Sequence, residues 1–102
     1  QNNICTYYPD YNLSIRDTTR VRLWSRDFDS LLRINKIPQF NTVRLGNDHT
    51  EGMKLGSRTP YAHVADNDLA VGMLVEKLAS SQFGTKVTPY VFTGLCYTNY
   101  EE

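Results

Sequence analysis

Apolar side chains recur at helical spacing early in the chain. Asp17 or Thr18 can cap the helix that they predict, and Pro38 ends it because the residue before a proline avoids helical geometry. The apolar positions share one face of this helix: Val21, Trp24, Phe28, Leu31 and Leu32. The other face is charged and is expected to be solvated: Arg20, Arg22, Arg26, Asp27 and Asp29.

A second helix is predicted from Pro60 to about residue 79, with Thr59 as its N-cap. The stripe expected to pack comprises Val64, Val71, Leu74 or Val75, and Leu78, broadened by Ala65, Leu69 and Gly72. Asp68 lies on the same stripe, so it must find a hydrogen-bond partner if it is buried. His63 and Asp66 are neighbours on this helix, which favours a structural pair over a set of ligands.

Two further segments have the composition of β-strands. Residues 40–45 predict a short strand, and a β-like pattern returns from Lys86 onward. The order helix, strand, helix, strand predicts an α/β fold, with parallel strands joined by a right-handed crossover.

Length and charge limit the class of protein. The 102 residues form a single domain or a fragment of a larger one. Eleven basic and eleven acidic residues cancel without any basic cluster, so neither a nucleic acid nor an anionic membrane surface is expected as a partner. No apolar run approaches the roughly 20 residues that span a bilayer, so no membrane span is expected.

Two cysteines, Cys5 and Cys96, lie near opposite ends of the sequence. A bridge between them would close most of the chain into one loop, with a stabilisation on the order of 4 kcal/mol. Two buried thiols are the alternative, because sequence does not show whether the Cα atoms approach each other.

The candidate site is the polar run Asn47, Asp48, His49 and Thr50, which follows the first predicted strand. An amide, a carboxylate, an imidazole and a hydroxyl in succession can bind a metal ion or a phosphoryl oxygen. Asn, Asp and Thr are also the residues of an ordinary turn. The residue types alone leave both interpretations open.

Longer motifs extend over residues 8–83. The strings PDYNLSIRDTTR, IPQFNTVRLGNDHTEG and RTPYAHVADNDLAVGMLVEKLA resemble a segment of bacterial phosphoesterases of the alkaline phosphatase superfamily, particularly those fused behind a YncE-like propeller. The resemblance implies a metal-dependent phosphoric-ester hydrolase with a three-layer α/β/α core, in the periplasm or secreted from the cell. The implied cofactor is a divalent ion, with zinc, manganese and calcium as candidates.

The resemblance also implies roles for individual residues. Asp48 and His49 fall on the motif beside the reacting phosphate, as metal ligands or as contacts to the phosphoryl oxygens, with His49 the catalytic candidate. Asn47 and Thr50 would contact the phosphate-ester substrate or support the residues that do. Asp68 aligns with a helix residue that has a structural role beneath the site.

The sequence departs from the family pattern in two places. Better-known members separate the Asp and His of this loop by three residues, whereas Asp48 and His49 are adjacent. The family continues beyond the second helix with an acidic EDD motif and a DH pair, and residues 84–102 contain neither. A shifted reading frame after about residue 83 would account for this ending. The expected function is therefore that of a hydrolase fragment, inactive alone.

The alternative function is a small α/β binding or interaction module without catalysis, in which residues 47–52 form a turn. A truncated sheet would leave an exposed strand edge and a bare apolar helix face, through which the chain would associate with a partner or with itself.

Overall fold

The structure is a computed structural model that describes residues 4–92. Helix α1 spans Asp17–Arg33, a short 3₁₀ turn spans Asn47–His49, and helix α2 spans Pro60–Ala79. The two helices pack against each other, and the 3₁₀ turn packs against α2. The candidate loop therefore lies beside the helix pair.

No strand forms within residues 4–92, so the predicted α/β fold and its three-layer core are wrong for this part of the chain, which is all-helical. Residues 40–45 and 86–92 are irregular, and Phe40 and Phe92 are 86% and 91% exposed. Strand-like composition is insufficient because a strand must exchange backbone hydrogen bonds with a neighbour, and even a two-stranded pair is marginal in water. The sheet edge expected to mediate self-association is likewise absent from the described chain.

Helix α1 confirms the predicted element and most of its apolar face. Val21 and Phe28 are buried, and Trp24 stacks on Phe28 with ring centroids 5.0 Å apart. Its start differs from the prediction, because Arg16 occupies the N-cap position and provides no side-chain cap. Arg20 was also expected to face solvent, but it is only 4% exposed.

Helix α2 begins as predicted, and the hydroxyl oxygen of Thr59 accepts a hydrogen bond from the Ala62 N–H at 3.1 Å. The buried face differs from the predicted stripe. His63 and Ala70 are fully buried, whereas Leu69 is 59% exposed and Asp68 is exposed. Apolar spacing did not select the packed face of α2, because polar side chains on its other side bind α1.

The buried interior of residues 4–92 is more polar than apolar. Its apolar members are Val21, Phe28 and Ala70. Its polar members are Asp17, Thr18, Arg20, Asn47 and His63. Buried polar groups are costly unless they are hydrogen-bonded, so the partners of Asp17, Thr18, Arg20 and Asn47 dictate how the chain is arranged. His63 is the exception, since its ring nitrogens have no hydrogen-bond partner within residues 4–92.

Two sequence predictions concern the ends of the chain and the membrane. Cys5 is half-buried and unbridged within the described residues, while Cys96 lies outside them, as does the later part of the second strand-like segment. Neither helix of residues 4–92 has the length and apolar character needed to cross a bilayer.

Candidate functional site

The carboxylate of Asp17, in the first turn of α1, is fully buried and receives hydrogen bonds from two other parts of the chain. Its oxygens accept from the backbone N–H groups of Gly46 and Asn47, at 3.0 and 2.9 Å. The side-chain amide of Asn67, on α2, donates to Oδ2 at 2.9 Å. Hydrogen bonds to an ionised acceptor are the strong ones, so Asp17 ties the candidate loop to both helices.

Asn47 is also fully buried, and its side chain is used by the fold. Its Oδ1 accepts from the Asp17 N–H at 3.1 Å. Its Nδ2 donates to the carbonyl oxygens of Leu13 and Ile15, at 3.2 and 3.4 Å. The side-chain amide of Asn47, which the resemblance assigns to the site, thus has hydrogen-bond partners within the fold on both its oxygen and its nitrogen.

Asp66 supplies the cap that α1 lacks locally. Its Oδ2 accepts from the N–H groups of Asp17 and Thr18, at 2.7 and 3.3 Å, and Oδ1 accepts from the Thr18 hydroxyl at 2.9 Å. A carboxylate at a helix N-terminus satisfies free N–H groups and is attracted by the helix dipole. We refer to Asp17, Thr18, Asn47, Asp66 and Asn67 together as the Asp17 network.

Arg20 anchors the segment that precedes α1. Its guanidinium donates to the carbonyl oxygens of Pro9 and Asp10, both at 2.7 Å, and to that of Asn12 at 3.2 Å. It also lies 5.6 Å from the ring centroid of Tyr8. These bonds join the α1 side chain to backbone carbonyls of this irregular segment, of which that of Asn12 also accepts from the Ile15 N–H at 3.2 Å.

Asp48 and His49 come directly after Asn47, which belongs to the Asp17 network. Oδ1 of Asp48 is buried and has no hydrogen-bond partner within residues 4–92. His49 is exposed, and its ring meets the edge of Tyr11 with centroids 6.0 Å apart. The guanidinium of Arg44 lies 4.9 Å from the Tyr11 ring centroid on the same part of the surface. The loop therefore presents one unpaired buried oxygen and one accessible imidazole.

Thr50 ends the 3₁₀ turn with φ 56° and ψ 174°. This conformation is unfavourable for a β-branched residue, at a cost on the order of 1–3 kcal/mol. Its hydroxyl oxygen accepts a hydrogen bond from the Gly52 N–H at 3.2 Å. The O–H of Thr50 is not used in this bond, so it can donate a hydrogen bond to a ligand.

Asp68 is exposed on α2 and forms no hydrogen bond with the Asp17 network. The α2 residues that hydrogen-bond to the start of α1 are instead Asp66 and Asn67. Sequence reasoning missed this role, because neither residue interrupts the apolar pattern of the helix. The only signal was indirect: acidic and amide side chains occur on a helix that packs against another helix.

His63 and Glu51 form a second polar contact beside the loop. Nε2 of the fully buried His63 lies 3.8 Å from Oε2 of Glu51, beyond hydrogen-bond distance, and neither ring nitrogen has a hydrogen-bond partner within residues 4–92. A hydrogen bond from Ser57 lowers the pKa of Glu51, and the charge of Lys54 lowers it further, while desolvation opposes both effects. The carboxylate of Glu51 is therefore held in its ionised form.

No group of three or more His, Cys, Asp or Glu side chains within the described part of the chain is arranged to hold a metal ion. Asp48 and His49 offer two donors, and protein metal sites generally need three or more. The described residues alone do not complete the implied metal centre.

Comparison with family models, with curated proteins and with solved structures found no match to this chain.

Proposed function

We propose that this chain is part of a metal-dependent phosphoric-ester hydrolase, to which it contributes the Asp48–His49 loop, and that it has no hydrolase activity by itself. The observation that carries the proposal is the buried, unpartnered Oδ1 of Asp48 on a turn held by the Asp17 network. A buried carboxylate oxygen without a partner is unfavourable, and a metal ion or a hydrogen-bond donor of a ligand would relieve this.

The support around Asp48 suits a ligand-binding loop. Functional groups need a rigid mounting, and Asn47 provides one because its backbone N–H and both side-chain polar atoms are hydrogen-bonded. His49 is exposed on the same turn, and Thr50, which is half-buried, ends it. In the proposed site Asp48 and His49 bind the ion or the phosphoryl oxygens, and Thr50 contacts the substrate.

The proposal requires further donors from outside residues 4–92. A bound divalent ion would neutralise the charge of the phosphoryl group. The residues described here supply two of its donors at most, so we assign them binding roles and derive no catalytic step. Zinc, manganese and calcium all accept a carboxylate ligand, and imidazole favours zinc.

A second candidate is an interaction module without catalysis. The observation that favours it is the exposed apolar face of α2, where Tyr61, Val64 and Leu69 are 87%, 50% and 59% exposed. Exposed apolar side chains grouped on one helix are typical of a surface that associates with another protein.

The two candidates differ in their response to metal. We expect zinc, manganese or calcium to raise the melting temperature of the chain, since a ligand that binds only the folded form stabilises it. Asp48→Ala should abolish this shift, and the exposed-residue control Asp68→Ala should retain it. Oligomerisation at every metal concentration, without a metal-dependent shift, would favour the interaction module.

A hydrolysis assay tests the proposed lack of activity. The purified chain should not hydrolyse p-nitrophenyl phosphate with any of the three ions. Chelator-sensitive turnover that disappears in Asp48→Ala would overturn the proposed lack of activity. Reading the parental nucleotide sequence beyond codon 83 in all three frames, for an EDD motif followed by a DH pair, tests the hydrolase relationship independently.

A further inference from the structure

A surface pocket of about 520 Å³ lies between the segment before α1 and the loop that leads into α2. Its charged lining residues are Arg16, Glu51, Lys54 and Arg58, and Ser14 and Ser57 complete its polar wall. Three cationic groups therefore face a single carboxylate. The pocket is positive although the chain as a whole carries no net charge.

The single carboxylate does not neutralise the two guanidinium groups. Glu51 is engaged by Lys54, with 3.4 Å between the charged atoms. Within residues 4–92, neither Arg16 nor Arg58 forms an ion pair with a carboxylate. The pocket therefore carries an excess of two positive charges, and both reside on arginine.

The two arginines come from different segments of the chain, Arg16 from the residue before α1 and Arg58 from the loop that leads into α2. Arg58 donates one hydrogen bond to the carbonyl oxygen of Leu13, at 3.0 Å, which leaves most of its five N–H donors for a ligand. Arg16 directly precedes Asp17, whose N–H and carboxylate are fixed by the Asp17 network. Only the side chain of Arg16 has to order when a ligand binds.

We propose that this pocket binds a phosphate group, either as inorganic phosphate or as a phosphate monoester. Planar guanidinium groups match the oxygens of phosphate with paired hydrogen bonds, and a dianion balances the two excess charges. Leu55, which is 95% exposed on the wall of the pocket, offers an apolar surface to the organic part of an ester. The proposal requires neither a metal ion nor the Asp48–His49 pair, so it goes beyond the proposed hydrolase function.

The test is isothermal titration calorimetry of the whole chain with inorganic phosphate and, separately, with phenyl phosphate. EDTA and constant ionic strength exclude metal and general salt effects. We expect saturable binding of both probes, tighter for phenyl phosphate if Leu55 contacts the ester group. Arg16→Gln and Arg58→Gln should each weaken it roughly tenfold, the effect of losing one charge-assisted pair.

The matched control is Arg22→Gln, which removes the same charge from the exposed face of α1 and should leave binding unchanged. Arg16 is exposed, so Arg16→Gln is expected to fold. This variant keeps the test decisive even if Arg58→Gln destabilises the chain by removing the bond to Leu13. EDTA removes any ion that the Asp48–His49 loop would need, which separates this site from the proposed hydrolase loop. Absence of saturable binding, or equal weakening by Arg22→Gln, would overturn the proposal.

Discussion

Asp17 and Asn47 are hydrogen-bonded to each other in both directions. The Asp17 N–H donates to Asn47 Oδ1 at 3.1 Å, and the Asn47 N–H donates to Asp17 Oδ2 at 2.9 Å. The two residues are 30 positions apart, and both are fully buried. This reciprocal pair joins the first turn of α1 to the candidate loop, so the position of the loop depends on it.

We expect Asp17→Asn to lower the free energy of unfolding by about 3 kcal/mol, because the new amide group would face N–H donors that need an acceptor. Urea denaturation followed by circular dichroism measures the change. Asp68→Asn makes the same substitution at an exposed position and should alter stability by less than about 0.5 kcal/mol. Equal effects of the two substitutions would show that the Asp17 network does not hold the fold.

Arg20→Lys should cost roughly 1–3 kcal/mol of stability, although it keeps the charge. A lysine cannot reproduce the planar arrangement of donors that reaches the carbonyl oxygens of Pro9, Asp10 and Asn12. The control is Arg22→Lys on the exposed side of α1, which should be nearly neutral. Thermal unfolding of both variants checks this, and a neutral Arg20→Lys would mean that the segment before α1 is not anchored by these bonds.

Ala70→Leu and Ala65→Leu test which face of α2 packs. Ala70 has 0% exposure, so the larger side chain should overpack the helix interface and cost about 1–3 kcal/mol. Ala65 is exposed, and its replacement should change stability by less than about 0.5 kcal/mol. Chemical denaturation gives both values. The reverse order would indicate that α2 packs through the stripe predicted from its apolar spacing.

Glu51 should contribute a pH-dependent part of the stability. Because its pKa in the folded chain is below the ordinary value of 4.5, the contribution is present above that pH and is lost as the pH falls through the folded-state pKa. Ser57→Ala removes the largest cause of the shift, so the pKa of Glu51 should rise toward its ordinary value. An NMR titration of the Glu51 carboxyl carbon measures this.

The matched control for that titration is Ser30→Ala, which removes a hydroxyl from the exposed side of α1. It should leave the Glu51 titration unchanged. An unaltered Glu51 pKa in Ser57→Ala would contradict the assigned role of the Ser57 hydrogen bond.

The existence of both helices could be predicted from sequence because their determinants are local. Apolar spacing identified α1 with its buried Val21 and Phe28, and Thr59 followed by proline identified the start of α2. The candidate loop was chosen because Asp48 and His49 are consecutive ligand-type residues, and its role stays a prediction. Their exact surroundings were not visible, because the unpartnered state of Asp48 Oδ1 depends on how distant segments pack.

The sequence by itself determined where helices form, since backbone geometry and side-chain spacing act over a few residues. Only the tertiary structure decided that residues 40–45 and 86–92 remain irregular, that Arg20 is buried, and that Asp66 caps the start of α1. The reason is that buried polar groups must find partners. Those of Asp17 lie 29 to 50 positions away, at distances that no local pattern encodes.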